Sequence, residues 1–464
     1  FTGDSLLQTQ WISYPYDSNV TFDNTGKKIS QIRINHSKNL PEINLHNNYY
    51  YSKGLFKKSA LRIKPGTSIG LTKYRDLYLL PAAGYNVHDK TMLGIVFHNI
   101  KIPNNPFQFA LAPMISLGTK QLVGTGIIGY SFFPKKIKRL TLAIQGNTFH
   151  HQSSDLNISN PLFVRHIKIA PSLSIDFAQK NMRVPTADNL LLRYILVKNQ
   201  NFSYQLNPTD SLYRPLINNY VSQYYLNARF SHKNNRTLNP FSYELNAVGN
   251  QYFAKLGLTA KLRIDYHLKN KSFYVRGFAG KFFDFKTATV SQNLSPQYLN
   301  ATSTEVNDYN YDETFVARNQ QKGVLAQQIS TEEGGLKIRT NLYANPIGQN
   351  NNWLAALNFR TDIPLQAPIK LPLKVQLFMD ASTFAKADKL NPSGAKLIYD
   401  AGVQLNLFGE LLVVYVPLLM SKDFSDYGKS VYGKKRFENN ISFALNLSKI
   451  NVLKTQDLTR LLGL

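Results

Sequence analysis

From about Thr91 to the C-terminal end, apolar and polar residues alternate in segments of roughly ten, each followed by a turn or a polar loop, the period-two signature of β-strands. Lys261 to Leu268 is the clearest case: Leu262, Ile264, Tyr266 and Leu268 fall on one face, Lys261, Arg263, Asp265 and His267 on the other. Leu373, Val375, Leu377, Met379 and Ala381 stand opposite Lys374, Gln376, Phe378 and Asp380. Trp353, Ala355, Leu357 and Phe359 stand opposite Asn358, Arg360 and Asp362. The last strong segment sets Ile441, Phe443, Leu445 and Leu447 against Asn440, Ser442, Ala444, Asn446 and Ser448. A soluble sandwich alternates in the same way, with its apolar face turned inward. Here, however, Phe163 to Phe177 and Tyr220 to Ser231 exceed the roughly 9–11 residues that cross a bilayer at a tilt, and there are too many segments for one sandwich. Aromatic residues gather near segment ends, at Tyr130 to Phe133, Tyr224-Tyr225 and Phe282 to Phe285, where an interfacial girdle would place them.

The pattern predicts an all-β, transmembrane antiparallel barrel of about 16 strands, with a range of roughly 14–18, over residues 55–464. If the final strand ends in the periplasm, Ser421 to Arg436 and Ser382 to Ser393 are outer loops, while Gly409-Glu410 and Pro364 to Pro372 are inner turns. Thr287 to Asn307 is then also outside, and parity calls for a further strand near Tyr311 to Gln328. Residues 1–54 differ. They predict a hairpin over Thr21 to Asn35 turning at Asn24-Thr25-Gly26, then a polar connector from Pro41 to Asn48, read as the tail of a preceding module.

Composition supports a lipid-facing surface. Charged residues are only 18% of 464 and aromatics reach 12%, yet no apolar run approaches the roughly 20 residues of a spanning helix; the longest, Leu411 to Met420, contains Pro417. The absence of cysteine excludes disulfides, thiol nucleophiles and cysteine-ligated zinc. The sequence starts at Phe1 without a signal peptide, which is expected to have been removed or to belong to a longer precursor. A net charge of +26 would suit nucleic acid or anionic headgroups, but the basic residues are spread singly, and the cluster Lys135-Lys136-Ile137-Lys138-Arg139 falls between predicted strands. No compact basic stripe or nucleic-acid module is present. Outer-membrane lipid and lipopolysaccharide are the partners this implies, with no nucleic acid.

Candidate chemistry is sparse. His150-His151 with Asp155 has metal-ligand residue types but reads better as a solvated loop tip. Asp308, Tyr309, Tyr311 and Asp312 lack the ordered spacing of a calcium loop and read as a structural loop or an extracellular loop contacting partners. Glu332-Glu333-Gly334-Gly335 places adjacent carboxylates on opposite strand faces, at a glycine bend. Gly118-Thr119-Lys120 with Gly124-Thr125-Gly126 is no phosphate loop, because strands flank it on both sides. Arg229, Arg263, Asp265, Arg360, Lys374 and Asp380 fall on polar faces and are candidates for a lumen lining, as a selectivity surface or as ion-paired plugs.

Three stretches resemble a group of large Bacteroidota proteins in which an aminopeptidase-like module of the M1 gluzincin metallopeptidase type precedes a C-terminal outer-membrane barrel. The first is Leu40-Pro41-Glu42-Ile43-Asn44-Leu45-His46-Asn47-Asn48-Tyr49. The second is Asp308-Tyr309-Asn310-Tyr311-Asp312 with Arg318, Gln327-Gln328 and Gly334-Gly335-Leu336-Lys337. The third runs from Leu377-Phe378-Met379-Asp380 through Val414-Tyr415-Val416-Pro417-Leu418 to Ile441-Ser442-Phe443-Ala444-Leu445-Asn446-Leu447. The resemblance implies an outer-membrane location, other proteins of an envelope complex as partners, and a zinc-dependent peptidase-like part ahead of Phe1. None of the nine histidines is followed by Glu, so the HExxH of a gluzincin is absent, and no catalytic residue, metal ligand or cofactor is assigned to this chain.

The resulting expectation is a non-catalytic membrane anchor and scaffold for a metallopeptidase-like module or partner proteins. The alternatives are a pore or transport barrel and the membrane half of an active metallopeptidase. The closing strands also look broadly like those of outer-membrane insertases, but the first 54 residues supply none of that family's periplasmic POTRA repeats.

Overall fold

The computed structural model describes residues 1–447 apart from short stretches, the longest being 13–19, 155–160, 286–297, 341–346 and 364–372. In the N-terminal appendage, β1 (Gln31–Arg33) pairs with β2 (Tyr49–Tyr51). The hairpin expected over Thr21 to Asn35 is therefore corrected: its second half pairs with residues 49–51 instead, while Asn24 and Thr25 of its turn lie outside the described residues. The barrel begins with β3 (Leu61–Pro65) and β4 (Arg75–Asn86), earlier than the alternation at Thr91 announces. It continues through β5 (Lys90–His98), β6 (Phe107–Ser116), β7 (Leu122–Phe132), β8 (Ile137–Ser153), β9 (Phe163–Phe177) and β10 (Thr186–Asn199). A separate hairpin, β11 (Phe202–Leu206) with β12 (Tyr213–Ile217), stands outside the ring. Then come β13 (Val221–Asn234), β14 (Phe241–Gly249), β15 (Phe253–Asp265) and β16 (Ser272–Asp284).

A long excursion follows, pinched at its neck by β17 (Leu299–Asn300) pairing with β18 (Gln349–Asn350). The wall resumes with β19 (Trp353–Asp362) and β20 (Leu373–Phe384). The short α1 (Ala387–Leu390) leads to β21 (Ile398–Leu407) and β22 (Leu412–Met420). Helices α2 (Lys422–Tyr432) and α3 (Arg436–Asn440) precede β23 (Ser442–Leu445).

Among the described residues, seventeen strands close into one ring. All but β3 form an up-and-down meander in which each strand is antiparallel to the one before it, so sixteen follow the expected topology. β3 is an extra strand at the seam, parallel to β4. The seam has the shortest ladders: β22 and β23 share four register pairs and β3 and β4 share five, against fourteen for β10 and β13.

Side chains on β20 show which way the wall faces. Gln376, Phe378, Asp380 and Ser382 are buried, whereas Leu377 and Met379 are 46% and 52% exposed on the outside. An apolar exterior around a polar, filled interior defines a transmembrane β-barrel, because closure leaves no unpaired edge and lipid covers the exposed leucines. Among the described residues, no helix is long and apolar enough to cross a membrane. The hairpin β11–β12, the long excursion and the helices α1 to α3 all lie at one end of the barrel, and mostly tight turns such as Phe408–Leu411 lie at the other. The end with long loops is the outer one.

Two expectations change. Ser421 to Arg436 does lie in an outer connection, but it is helical: Phe424 and Tyr427 of α2 are buried in the main hydrophobic cluster beneath it. Tyr311 to Gln328 is not a strand. Both ends of the excursion are at the outer rim, so parity needs no extra crossing, and the chain between them enters the lumen and returns. The inner turn expected at Pro364 to Pro372 lies outside the described residues.

Candidate functional site

The excursion fills the barrel. Leu299, Ala301, Leu336 and Ile338 are almost completely buried, and they share one cluster with inward residues of the wall such as Ile195, Tyr225, Phe253 and Phe278. Residues 299–340 therefore form a plug with its own apolar core, and polar anchors hold it to the wall on several sides.

The first anchor is on β9 and β10. The Asp312 carboxylate accepts from Lys168 Nζ at 2.5 Å and, bidentately, from Arg193 at 2.6 and 2.8 Å, while Asn227 Oδ1 accepts two further Arg193 donors. Burial opposes ionisation of Asp312, yet Arg193 and Lys168 hold it well below the usual carboxylate range. The second anchor is on β15, β16 and β19: Lys255 pairs with Glu333 and lies 5.3 Å from the Tyr309 ring centroid, Arg276 donates to the Glu333 carbonyl, and Asn358 donates to the Gly334 carbonyl at 2.9 Å. The bend there requires glycine. Gly335 has φ +67°, and a Cβ on Gly334 would sit 2.8 Å from the Ala301 backbone. The third anchor is on β20 and β21, where Lys337 Nζ bonds Asp380 at 3.0 Å and Asp400 accepts the backbone N–H groups of Lys337 and Ile338 at 2.7 and 2.9 Å. On the closing strand, the Phe443 carbonyl accepts Ile329 N–H at 2.8 Å and Ser442 donates to the Lys337 carbonyl.

At the outer end, Arg318 clasps the plug internally. It pairs with Asp308, donates to the carbonyls of Glu305 and Glu313, and lies 4.3 Å from the Tyr311 ring centroid. His166 stacks on the other partner of that contact, Tyr311, at 4.0 Å, and Asn319 donates to the His151 carbonyl. His88, in the turn after β4, bonds the Arg318 carbonyl through Nε2 at 2.8 Å, with Ser153 Oγ near Nδ1. These are the contacts of a neutral imidazole protonated on Nε2. Asp89 beside it is sealed by His150, Asn86 and Thr119; burial raises its pKa, but these hydrogen bonds hold it down at about 2.

Several sequence-based expectations meet this geometry differently. Asp308, Tyr309 and Tyr311 are buried, and Asp312 is bonded to the wall, so these four residues do not form an extracellular surface loop. Solvation would cost Asp312 two cationic partners, which is why the acidic stretch turns inward. His150 and His151 are 3% exposed and belong to this packing, not to a solvated tip; Asp155 lies outside the described residues. Among the described residues, no group of three or more His, Asp or Glu side chains could hold a metal.

The six lumen candidates face inward, and each lies near a charged partner. Arg229 approaches Glu244 at 3.5 Å, Arg263 bonds Asp265 at 2.7 Å, Arg360 lies 3.3 Å from Glu410, Lys374 bonds Asp362 at 2.7 Å, and Asp380 takes Lys337. The wall residues that hold the plug hardest, Lys168, Arg193, Lys255 and Arg276, are absent from that set. Their signal was legible only as isolated cations on the inward side of apolar strands. A polar hollow of about 230 Å³ remains between plug and wall, lined by Arg193, Arg229, Glu244 and Lys255, and another of about 510 Å³ lies at the inner mouth.

His88 supplies a pH prediction. Burial lowers its pKa below that of a free histidine, so the folded state takes up its proton less readily than the unfolded state. The stability this adds is fully present above about pH 6.5 and is lost as pH falls toward the lower, folded-state value. Trypsin cleavage at Arg318 and Lys322, normalised to that of a free peptide at each pH, should carry a His88-dependent acceleration from pH 7.5 to 5.5. His88→Gln, which can still donate to the Arg318 carbonyl, should flatten that dependence; an identical profile in both proteins would remove His88 from the linkage.

No protein-family profile matches the chain, and no curated protein is significantly similar to it. Among solved structures it is similar to BamA from Haemophilus ducreyi lacking POTRA domains 1–3, at 13% identity and a TM-score of 0.38, over 74% of this chain and 66% of that one. It is also similar to CdiB from Acinetobacter baumannii (11% identity, TM-score 0.38, 76% of this chain and 60% of that one) and to CdiB from Escherichia coli (10%, 0.38, 74% and 59%). The chain thus spans about 59–66% of the length of these proteins. The class, a transmembrane β-barrel closed by a plug from its own chain, rests on the strand ladder and the buried excursion.

Proposed function

We propose that the barrel is an outer-membrane anchor and scaffold whose lumen is occupied, and that it holds a metallopeptidase-like module or partner proteins at the membrane without chemistry of its own. The observation that carries this reading is the plug. Ion pairs from Asp312, Glu333 and Lys337 tie residues 299–340 to strands around the lumen, which is the arrangement of a support and not of an open diffusion channel. The middle stretch of the resemblance, from Asp308 to Lys337, lies in this plug, and the metallopeptidase-like module is proposed from that resemblance alone. In planar bilayers the intact chain should insert, judged by heat-modifiable gel mobility, and stay electrically silent. Steady conductance from the intact chain would sink the scaffold reading and favour a pore. The excess of basic side chains at the inner mouth, where Lys233, Lys261, Arg263, Arg276, Lys337 and Arg360 outnumber Asp380 and Glu410, supports anion preference for that second reading.

A further inference from the structure

The lipid-facing wall is not smooth. On β13 and β14, Ala228 and Ala247 are direct cross-strand partners, and Ala247 faces Leu256 of β15. With Ala279 of β16, these alanines floor an outward groove of about 550 Å³ walled by Leu245, Leu256 and Leu258. Ala228, Ala247 and Leu256 also line an adjoining hollow of about 770 Å³, so the two form one depression. Its surface is almost entirely apolar.

Arg193 and Lys255 also line the larger hollow, but their charged ends pair with Asp312 and Glu333 on the inner side, which leaves Lys281 as the charged side chain bordering it from the outer face among the described residues. Lys281 pairs across the sheet with Leu256 on one side and Trp353 on the other, which are 46% and 40% exposed, so the lysine shares their outward face. β16 ends three residues later at the outer rim. A lysine turned toward lipid is costly at the midplane and tolerable at the interface, where it can extend toward headgroups. Its ammonium does this: it donates to Asn352, beyond the end of β19, and lies 5.8 Å from the Phe283 ring centroid. Among the described residues, two of its three N–H donors are left for another acceptor. Trp353 beside it is the interfacial aromatic that accompanies such a position.

We propose that this depression is a specific lipid site: an anionic phospholipid lays an acyl chain over Ala228, Ala247 and Ala279 and sets its phosphate against Lys281. The site rests on the membrane-barrel reading and its orientation. An acyl chain is the occupant that fits, because the hollow offers little to hydrogen-bond at hydrocarbon depth and its cation sits at headgroup level. Each of the two hollows, about 550 and about 770 Å³, lies within the roughly 300–1,000 Å³ typical of small-ligand sites.

The test is native mass spectrometry of the whole chain released from nanodiscs of mixed phosphatidylcholine and phosphatidylglycerol. The wild-type protein should retain one phosphatidylglycerol in preference to phosphatidylcholine. Lys281→Ala should retain about fivefold less, the equivalent of the roughly 1 kcal/mol that one basic residue contributes at an anionic surface. Lys281→Arg should keep the lipid, and Ala247→Trp, which fills the groove but leaves the lysine, should lose it. Heat-modifiable mobility shows that each variant is folded. Equal retention by wild type, Lys281→Ala and Ala247→Trp would mean unspecific annular lipid and overturn the site. Failure of the folded wild-type chain to enter nanodiscs would remove the membrane reading, and this site with it.

Discussion

Excision of residues 299–340, with a short Gly/Ser linker in their place, turns a silent barrel into an anion-selective channel. A ring of seventeen strands, sixteen of them in an antiparallel meander, is wide enough to hold an aqueous path once nothing fills it. The cut leaves the barrel strands intact and removes β17, one of the two strands of the neck. The excised segment carries six acidic residues, Glu305, Asp308, Asp312, Glu313, Glu332 and Glu333, against four basic ones, Arg318, Lys322, Lys337 and Arg339. Its loss strips counter-ions from Lys168, Arg193 and Lys255, so the exposed wall becomes more positive. Stepwise conductance should appear in planar bilayers, and the reversal potential under a salt gradient should report anion preference. If the excised protein inserts and stays silent, the lumen is closed by something other than this segment. If it conducts with cation preference, the assignment of the wall charges is wrong.

Asp312→Ala is expected to have the largest effect of any single substitution in the plug. Lys168 has a fully buried side chain and Arg193 is nearly so, and Asp312 is the carboxylate that neutralises both. Removing one partner from a buried pair typically costs about 3–5 kcal/mol, because the charge left behind has lost its solvent as well as its counter-ion. The loss falls on plug docking, since the barrel ladder is untouched. Amide exchange across residues 308–320 should therefore accelerate by several hundredfold or more while β8 to β10 stay protected. Adding Lys168→Met removes one of the stranded charges, and the double variant should recover part of the protection. A double variant no better than Asp312→Ala would show that the pair does not anchor the plug.

Acid provides an independent check on the same contact. The carboxyl of Asp312 titrates below its unfolded-state value, so the stability it confers is present above about pH 4 and is lost as pH falls through the lower folded-state value. This window lies below that of His88. Compared with wild type, His88→Gln should change the pH dependence of plug protection in the upper window and Asp312→Ala in the lower one.

The period-two alternation was enough to determine the barrel. A strand such as Leu373 to Ala381 has one way to satisfy a bilayer and a polar interior at once, and every strand of that kind repeats the answer locally. Outer and inner ends, and the inward direction of Arg229, Arg263, Arg360, Lys374 and Asp380, follow from residue spacing and loop length, whereas the strand count follows only as a range, because parity places a strand at Tyr311 to Gln328 where the structure has none. The plug does not follow from spacing. Residues 299–340 have no periodicity, because their structure comes from a container built by strands more than a hundred residues away in sequence: Asp312 meets Lys168 and Arg193, and Ile329 meets Phe443. In sequence alone, Asp308 to Asp312 is a polar, acidic loop, and polar loops face water. Only the tertiary structure supplies the two buried cations that make the interior the better place for it. The same holds for β3, whose five residues carry too little pattern to announce a seam strand, and for Lys281, whose neighbours across the sheet, Leu256 and Trp353, give a lone lysine its position at the lipid interface.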